Sequence, residues 1–260
     1  TLTFTPVEIE SLSALPEDIP LEVAYEDEHI AVIHKAPGMV VHPAKGHPSG
    51  TLVNALMHRW RGDPETDGAL RFGIVHRLDQ GTSGLMVVAR TPAAGQALQR
   101  QFQERTVRKI YFALVAGVPK EDTGRIDQAL ARHPTDRKRF TGSRAGGREA
   151  LTDWAMVDRG RGVSLLAVRI HTGRTHQIRV HLAEAGFPII GDELYGGRWL
   201  NRVNNRGEKS YCRRAHRPML HAASLAFIHP ASGAPLSFTA PPAPDMLDLA
   251  KRILPEDGMA

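Results

Sequence analysis

Only one cysteine, Cys212, occurs among the 260 residues. No internal disulfide can form and no thiolate cluster can hold a metal, so a reducing cytoplasm is the expected setting. No apolar run approaches the ~20 residues of a membrane-spanning helix; residues 85–89 are typical of the longest. The N-terminus has no basic stretch followed by an apolar segment, and no secretory signal is expected. Also missing are the GxxxxGK(S/T) loop, a strand-linked GxGxxG, HExxH and paired CxxC. Nucleoside-triphosphate chemistry, dinucleotide redox and zinc therefore drop out, and neither a cofactor nor a metal is expected. Among 13 histidines the pairs His176/His181 and His42/His47 are each five apart, which misses the i, i+4 spacing of a helical metal pair.

What the chain does have is basic charge, a net +5, which points to a polyanionic partner without requiring one. Its placement says more. Arg198, Arg202, Arg206, Lys209, Arg213, Arg214 and Arg217 cluster against a single acid, Glu208, and a second run holds Arg132, Arg137, Lys138, Arg139, Arg144 and Arg148. Both lie among Gly, Asn, Ser and Pro and read as exposed loops, either solvated or facing a polyanion.

Residues 1–20 carry Pro6, Pro16 and Pro20 and read as an extended lead-in. Strands are predicted at 29–35, 73–78, 85–90 and 109–117, in an antiparallel pair at 151–158 and 163–171, and at 220–228 and 236–239. Helices are predicted at 50–60, from Pro92 to about Arg105, at 174–185 and at 245–254. Strands and helices do not alternate regularly, so the class is α+β.

Two segments concentrate chemistry. In residues 73–90 two apolar runs flank His76, Arg77, Asp79, Gly81, Thr82, Ser83 and Gly84. A strand ending in such a loop displays a carboxylate and a guanidinium on a rigid scaffold; an Asp capping a turn is the plain alternative. In residues 171–197, Arg174, His176, Gln177, Arg179 and His181 crowd one short helix. Ile178, Leu182 and Ala185 mark its expected buried face, and Thr175 and Arg179 share another. Such polarity inside a core usually serves a ligand or a buried charge.

Taken in order, these segments resemble the RluA family of RNA pseudouridine synthases, and within it the RluD-like subgroup. The HRLD signature and its TSGL continuation stand at His76-Arg77-Leu78-Asp79 and Thr82-Ser83-Gly84-Leu85. GRTHQIRVHL occupies residues 173–182, and GD-x-x-Y-G stands at Gly191, Asp192, Tyr195 and Gly196. An early K-P-G-x-x-x-HP element matches Lys35, Pro37, Gly38, His42 and Pro43, with the proline one place later than in the commoner form. Arg108-Lys109-Ile110-Tyr111 and Leu220-His221-Ala222 match further positions, and the likeness runs from about residue 22 to 250.

The resemblance implies a mixed, largely antiparallel sheet in two halves, flanked by helices, with the active site in the cleft between them. It implies that uridines in RNA are isomerised without a cofactor. Asp79 would be the nucleophile, attacking ribose C1′ or base C6, and Arg179 its partner. Tyr111 would stack on the flipped uracil and help remove the C5 proton. Arg77, with His76 in the same loop, would hold the flipped RNA, and Ile178 and Leu182 would be wall residues or core support. A carboxylate is ionised at neutral pH and is a competent covalent nucleophile when aimed. The implied substrate is large-subunit (23S) rRNA, bound by a monomer with no membrane association. Many relatives carry an S4-type RNA-binding domain. The likeness begins near Leu21, so residues 21–260 read as the catalytic domain, and an upstream S4 domain outside this chain is expected.

Three rivals remain at this stage. One is a tRNA enzyme of the same family. A second is a non-catalytic RNA-binding or ribosome-assembly protein. The third is a carboxylate-pair hydrolase, for which Asp192 is the only candidate second acid.

Overall fold

The computed structural model describes residues 14–44, 46–63, 73–143 and 146–254. Of the lead-in, residues 14–20 are extended and lie against the first helix: Asn54 Nδ2 donates to Leu15 O, and the Glu17 carboxylate accepts from Gly50 N–H. Residues 1–13, and Arg144 of the second basic run, lie outside the described residues.

Nine strands form one sheet. β1 (Glu22–Glu26), β2 (Ile30–Lys35), β3 (Ser83–Ala89), β10 (Leu220–Ile228), β4 (Arg108–Ala116), β9 (Val163–Ile170), β8 (Leu151–Arg159) and β5 (Thr123–Asp127) follow in that spatial order, and β11 (Pro235–Thr239) pairs with β10. All neighbours are antiparallel except β3 and β10, which run parallel. That parallel seam joins the two halves. A short hairpin, β6 (Leu130–Arg132) with β7 (Phe140–Gly142), stands apart from the sheet.

β2 over residues 30–33 and β3 over residues 85–89 are apolar because both faces are covered. Ala31, Ile33, Met86 and Val88 enter one core with Leu52, Leu56 and Trp60 on or at the end of α1 (Leu52–Arg59), and with Met246, Leu249 and Ile253 of α5 (Pro244–Ile253). Ile30, Val32, Leu85 and Val87 point the other way, onto Ala94 and Leu98 of α2 (Pro92–Gln103). Helix starts follow local chemistry: Thr51 and Asn54 form a capping box, and Thr91 caps α2 ahead of Pro92.

Several expectations need correcting. Residues 73–78 form no strand. Only Ile74 bridges to Val88; the segment then bends at His76, whose side-chain Nε2, rather than a strand carbonyl, accepts from Val87 N–H. The helix expected at 174–185 is α3 (Gln177–Glu184); it begins only after His176, whose left-handed backbone (φ 58°) cannot continue a helix. Nor does it show one buried face, since Gln177 through Leu182 are all buried. Ile178 and Leu182 meet the main core, and Val180 packs with Leu130 and Ala150 beside β6. Gln177 and His181 bond to β8 through Leu151 O and Thr152 Oγ1.

The basic stretch 198–217 is not a plain loop. It contains a 3₁₀ turn (Trp199–Arg202) and α4 (Arg206–Cys212), capped by Asn205. Its one acid, Glu208, is buried and accepts from Arg161 and Gly162 N–H at 2.7 and 2.8 Å, tying the β8–β9 turn to α4. The second basic run is partly ordered by β6 and β7.

Candidate active site

Parallel strands begin at the same end of a sheet, so the loop before β3 and the loop before β10 meet there. The first loop carries Asp79 and the second Arg217 and Pro218. Arg217 Nη1 donates to Gly81 O (2.9 Å), and its Nε and Nη2 grip Asp245 at 2.7 and 2.6 Å. Gly84, in the left-handed region at φ +114°, lets the β3 backbone approach β10: a Cβ there would lie 2.3 Å from Ala222 O.

Beneath the Asp79 loop Lys35 is fully buried, and its ammonium donates to Ala36 O, Met39 O and Gln80 O at 2.9, 2.9 and 3.3 Å. Burial pushes its pKa down to about 8; the Asp79 charge works against that fall, and the Arg217 charge adds to it.

Asp79 meets α3 at the centre. Arg179 Nη1 donates to Asp79 Oδ2 at 3.1 Å, while Nε and Nη2 hold Asp192 in a bidentate pair at 2.6 and 2.9 Å. Asp192 is 1% exposed, and its Oδ1 also accepts from Leu194 and Tyr195 N–H. Burial opposes the Arg179 charge, yet the bonds and charges of Asp192 and Asp79 overcome it and raise the guanidinium's pKa. Arg179 is thus fixed as a cation, with its Nη1 turned to Asp79. Gly191 is required at the preceding turn: its φ is +79°, and a Cβ would lie 2.0 Å from Arg217 O.

His176 Nε2 lies 3.9 Å from Asp79 Oδ1 and its Nδ1 lies 2.7 Å from Tyr195 Oη. Tyr195 Oη already accepts from Phe140 N–H (2.9 Å), so its own proton is free to donate to Nδ1. That uses the Tyr195 proton and favours the Nε2–H tautomer, which points an N–H toward Asp79 at a distance too long for a hydrogen bond. The Tyr195 ring also covers Arg179, with the guanidinium carbon 5.0 Å from its centroid.

These groups line a cavity of about 520 Å³ together with His76, Arg77, Lys109, Tyr111 and Ile178. Tyr111 is 6% exposed, and burial, then the Asp79 charge, raise its pKa, so it is a neutral phenol. His76 accepts from Val87 N–H through Nε2 and stacks on Phe102 at 4.7 Å. Burial, then the Lys109 charge, push its pKa down to about 3. His76 is therefore a neutral wall group. Arg77 is exposed at the cavity edge. Leu182, one turn beyond Ile178, is fully buried in the main core and does not line the cavity. Of the two apolar positions only Ile178 forms wall.

The sequence motifs assign no role to Lys35, Tyr195 or Lys109, and Asp192 has one there only as the second acid of a rival hydrolase. A lysine closing an apolar strand, and an aspartate three residues ahead of a tyrosine in a glycine-rich turn, were the available signals.

Buried histidines make the fold acid-sensitive. His221 is fully buried between Ser83 Oγ and Ala240 O, and burial pushes its pKa down to about 4. The unfolded chain takes up such protons near pH 6.5, whereas the folded protein does so only at about 4. Within that window the unfolded state binds more protons, so stability rises with pH and falls on acidification. The midpoint of urea unfolding is expected to drop steadily from pH 6.5 to 4.5, and less steeply for His221→Gln. A flat profile for the native protein would show that these rings titrate freely.

The comparisons with known proteins agree with this geometry. The model of the RNA pseudouridylate synthase family matches residues 29–184. An uncharacterized RNA pseudouridine synthase of Aquifex aeolicus is 47% identical over 228 residues, 87% of this chain and 71% of that protein. Ribosomal large subunit pseudouridine synthase D of Xylella fastidiosa is 46% identical over 237 residues, 91% of this chain and 70% of that one. Among solved structures, human RNA pseudouridylate synthase domain containing 1 shares 28% identity at a TM-score of 0.67, covering 90% of this chain and 86% of its own. The α+β sheet, the matched segment and these similarities lead to one conclusion: the chain belongs to the RNA pseudouridylate synthase family and is an RNA-modifying isomerase.

Proposed function

We propose that this enzyme converts uridines of large-subunit (23S) ribosomal RNA to pseudouridine, acting in the cytoplasm as a monomer through residues 21–260, with Asp79 as nucleophile. The carrying observation is the Arg179 bridge, which ties Asp79 to the buried Asp192 and aims the Asp79 carboxylate into the cavity. The same bridge argues against a carboxylate-pair hydrolase: both Asp192 oxygens are already occupied by Arg179 and backbone N–H groups.

In this reading a uridine leaves its stack, at a cost of a few kcal/mol, and stacks on Tyr111, which returns roughly 1–3 kcal/mol. The Asp79 carboxylate bonds to C1′ or C6, and the C1′–N1 bond breaks. The base turns, and C5 bonds to C1′. The C5 proton leaves, N1 regains a proton and Asp79 is released, so atoms and electrons balance with no co-reactant. Tyr111 would help take the C5 proton; esterification of Asp79 removes the negative charge that holds the phenol proton. Arg77 and His76 flank the entering strand, Arg77 as an exposed cation and His76 as a flat neutral wall.

The rRNA assignment is supported by the names of relatives in Xylella fastidiosa, Xanthomonas campestris and Pseudomonas aeruginosa, each called ribosomal large subunit pseudouridine synthase D. Pseudouridine mapping of unmodified 23S rRNA and bulk tRNA incubated with the protein tests it. Modification at defined 23S positions is expected; modification of tRNA alone would replace the substrate assignment.

Arg213 and Arg214, both exposed at the end of α4, offer charge to the RNA backbone. Arg217, bound to Asp245 and Gly81, is structural and lies outside that set. Reversing Arg213 and Arg214 to Glu should weaken rRNA binding about tenfold or more and flatten its salt dependence by roughly 0.7–0.9 per lost contact. Unchanged binding would assign the RNA path to another face.

A further inference from the structure

We propose that Lys109 is an anion subsite inside the cavity that takes a phosphodiester group next to the flipped uridine. The inference rests on the RNA pseudouridine synthase reading above and adds a substrate contact to it.

Lys109 and Tyr111 are two residues apart on β4 and so face the same side, about 7 Å apart. Both line the cavity, but they differ in depth. Tyr111 is 6% exposed, whereas Lys109 follows the exposed Arg108 and neighbours Gln103, Arg105 and Arg174 at the rim. A nucleotide whose base reaches Tyr111 must leave its backbone on the rim side, where Lys109 stands.

Among the described residues no carboxylate pairs with Lys109, although Asp79 lines the same cavity. Its ammonium lies 5.2 Å from the Phe102 ring centroid, and among the described residues it has no hydrogen bond and no ion pair. Two rim cations differ: Arg105 pairs with Glu149 at 2.7 Å, and Arg174 Nε donates to Glu149 O; Arg77 at the cavity edge is exposed to solvent. His76, which lines the same cavity, is kept neutral by burial and then by the Lys109 charge, and offers no compensation. The space beside the ammonium is open on the Gly173 side, where a Cβ would meet only Lys109 Nζ, at 3.9 Å. Burial without a counter-charge pushes the lysine pKa down to about 8, so the ammonium is held at neutral pH against its surroundings. A cation kept at such a cost in a substrate cavity is matched by a ligand anion, and the anion an RNA carries is its phosphate.

The test uses the full chain and a short RNA containing a mapped target uridine. The RNA is made either native or with single methylphosphonates, which remove one phosphate charge at a time on either side of that uridine. Lys109→Met should bind the native RNA about tenfold more weakly, with a salt slope shallower by about 0.7, while Lys109→Arg keeps most of both. At one flanking position the methylphosphonate should cost the native enzyme about as much and cost Lys109→Met nothing further, the non-additivity of partners in contact. Lys109→Met should also melt no lower than the native protein, since it deletes an unpaired charge. If losses from the variant and from every methylphosphonate simply multiply, the phosphate contact is overturned, as it is if binding is unchanged. Failure of the native enzyme to make pseudouridine in any RNA would instead overturn the underlying reading.

Discussion

Asp79→Asn is expected to abolish pseudouridine formation, by about 10⁴-fold or more, while leaving the protein folded. The amide matches the carboxylate in shape, and its oxygen can still accept from Arg179 Nη1, so the loop and the cavity stay in place. What disappears is the nucleophile, because an amide oxygen does not form the covalent bond to carbon that the reaction needs. Asp79 is also partly exposed, at 17%, and Arg179 keeps its bidentate partner Asp192, so stability should change little. Single-turnover assays with tritium-labelled RNA, alongside thermal unfolding, separate the two effects. Activity within tenfold of the native enzyme would remove Asp79 from the nucleophile role and leave Arg179 without a catalytic partner.

Arg179→Met should damage both fold and chemistry. Arg179 is 8% exposed and Asp192 1%, so the variant strands a buried carboxylate with backbone N–H groups alone. Breaking a buried pair from one side costs about 3–5 kcal/mol, and for a chain of this size a fall of about 10 °C in melting temperature follows. Replacing both members, Arg179→Met with Asp192→Leu, removes the stranded charge and should recover much of the stability. It should recover none of the activity, because Asp79 still lacks the N–H that aims it. Recovery of activity in the double variant would show that Arg179 serves only to neutralise Asp192. A single variant that melts within about 2 °C of the native protein would show that water reaches Asp192 more freely than its burial indicates.

Local chemistry carried much of this architecture. The apolar run of β3, the Thr-capped starts of α1 and α2 and the glycine turn at 160–162 all show in the sequence, because each depends on neighbours a few residues away. The clustering of Asp79, Arg179 and Tyr111 was legible as well, through motif order and spacing. Less legible were features that depend on crowding at a distance. Residues 73–78 read as a strand from composition, but the distant His76 ring takes the Val87 N–H that a pairing strand would use. Leu182 shared a helical stripe with Ile178, yet one turn of rise carried it from the wall into the core.

From its residues alone the chain specified an α+β class, its core-facing stripes, its family motifs and the carboxylate that anchors them. The partners of its charges came from topology. The parallel seam of β3 and β10 brings two loop ends together and sets Arg217 against Gly81 O. It also places Lys35 under the Asp79 loop and leaves Arg179 shared between acids 100 and 13 residues away. Lys109 and Arg217 are equally basic in one dimension. One is locked to an aspartate and the other faces an empty cavity, because periodicity encodes which face a side chain takes, while only the packed sheet settles what stands opposite it.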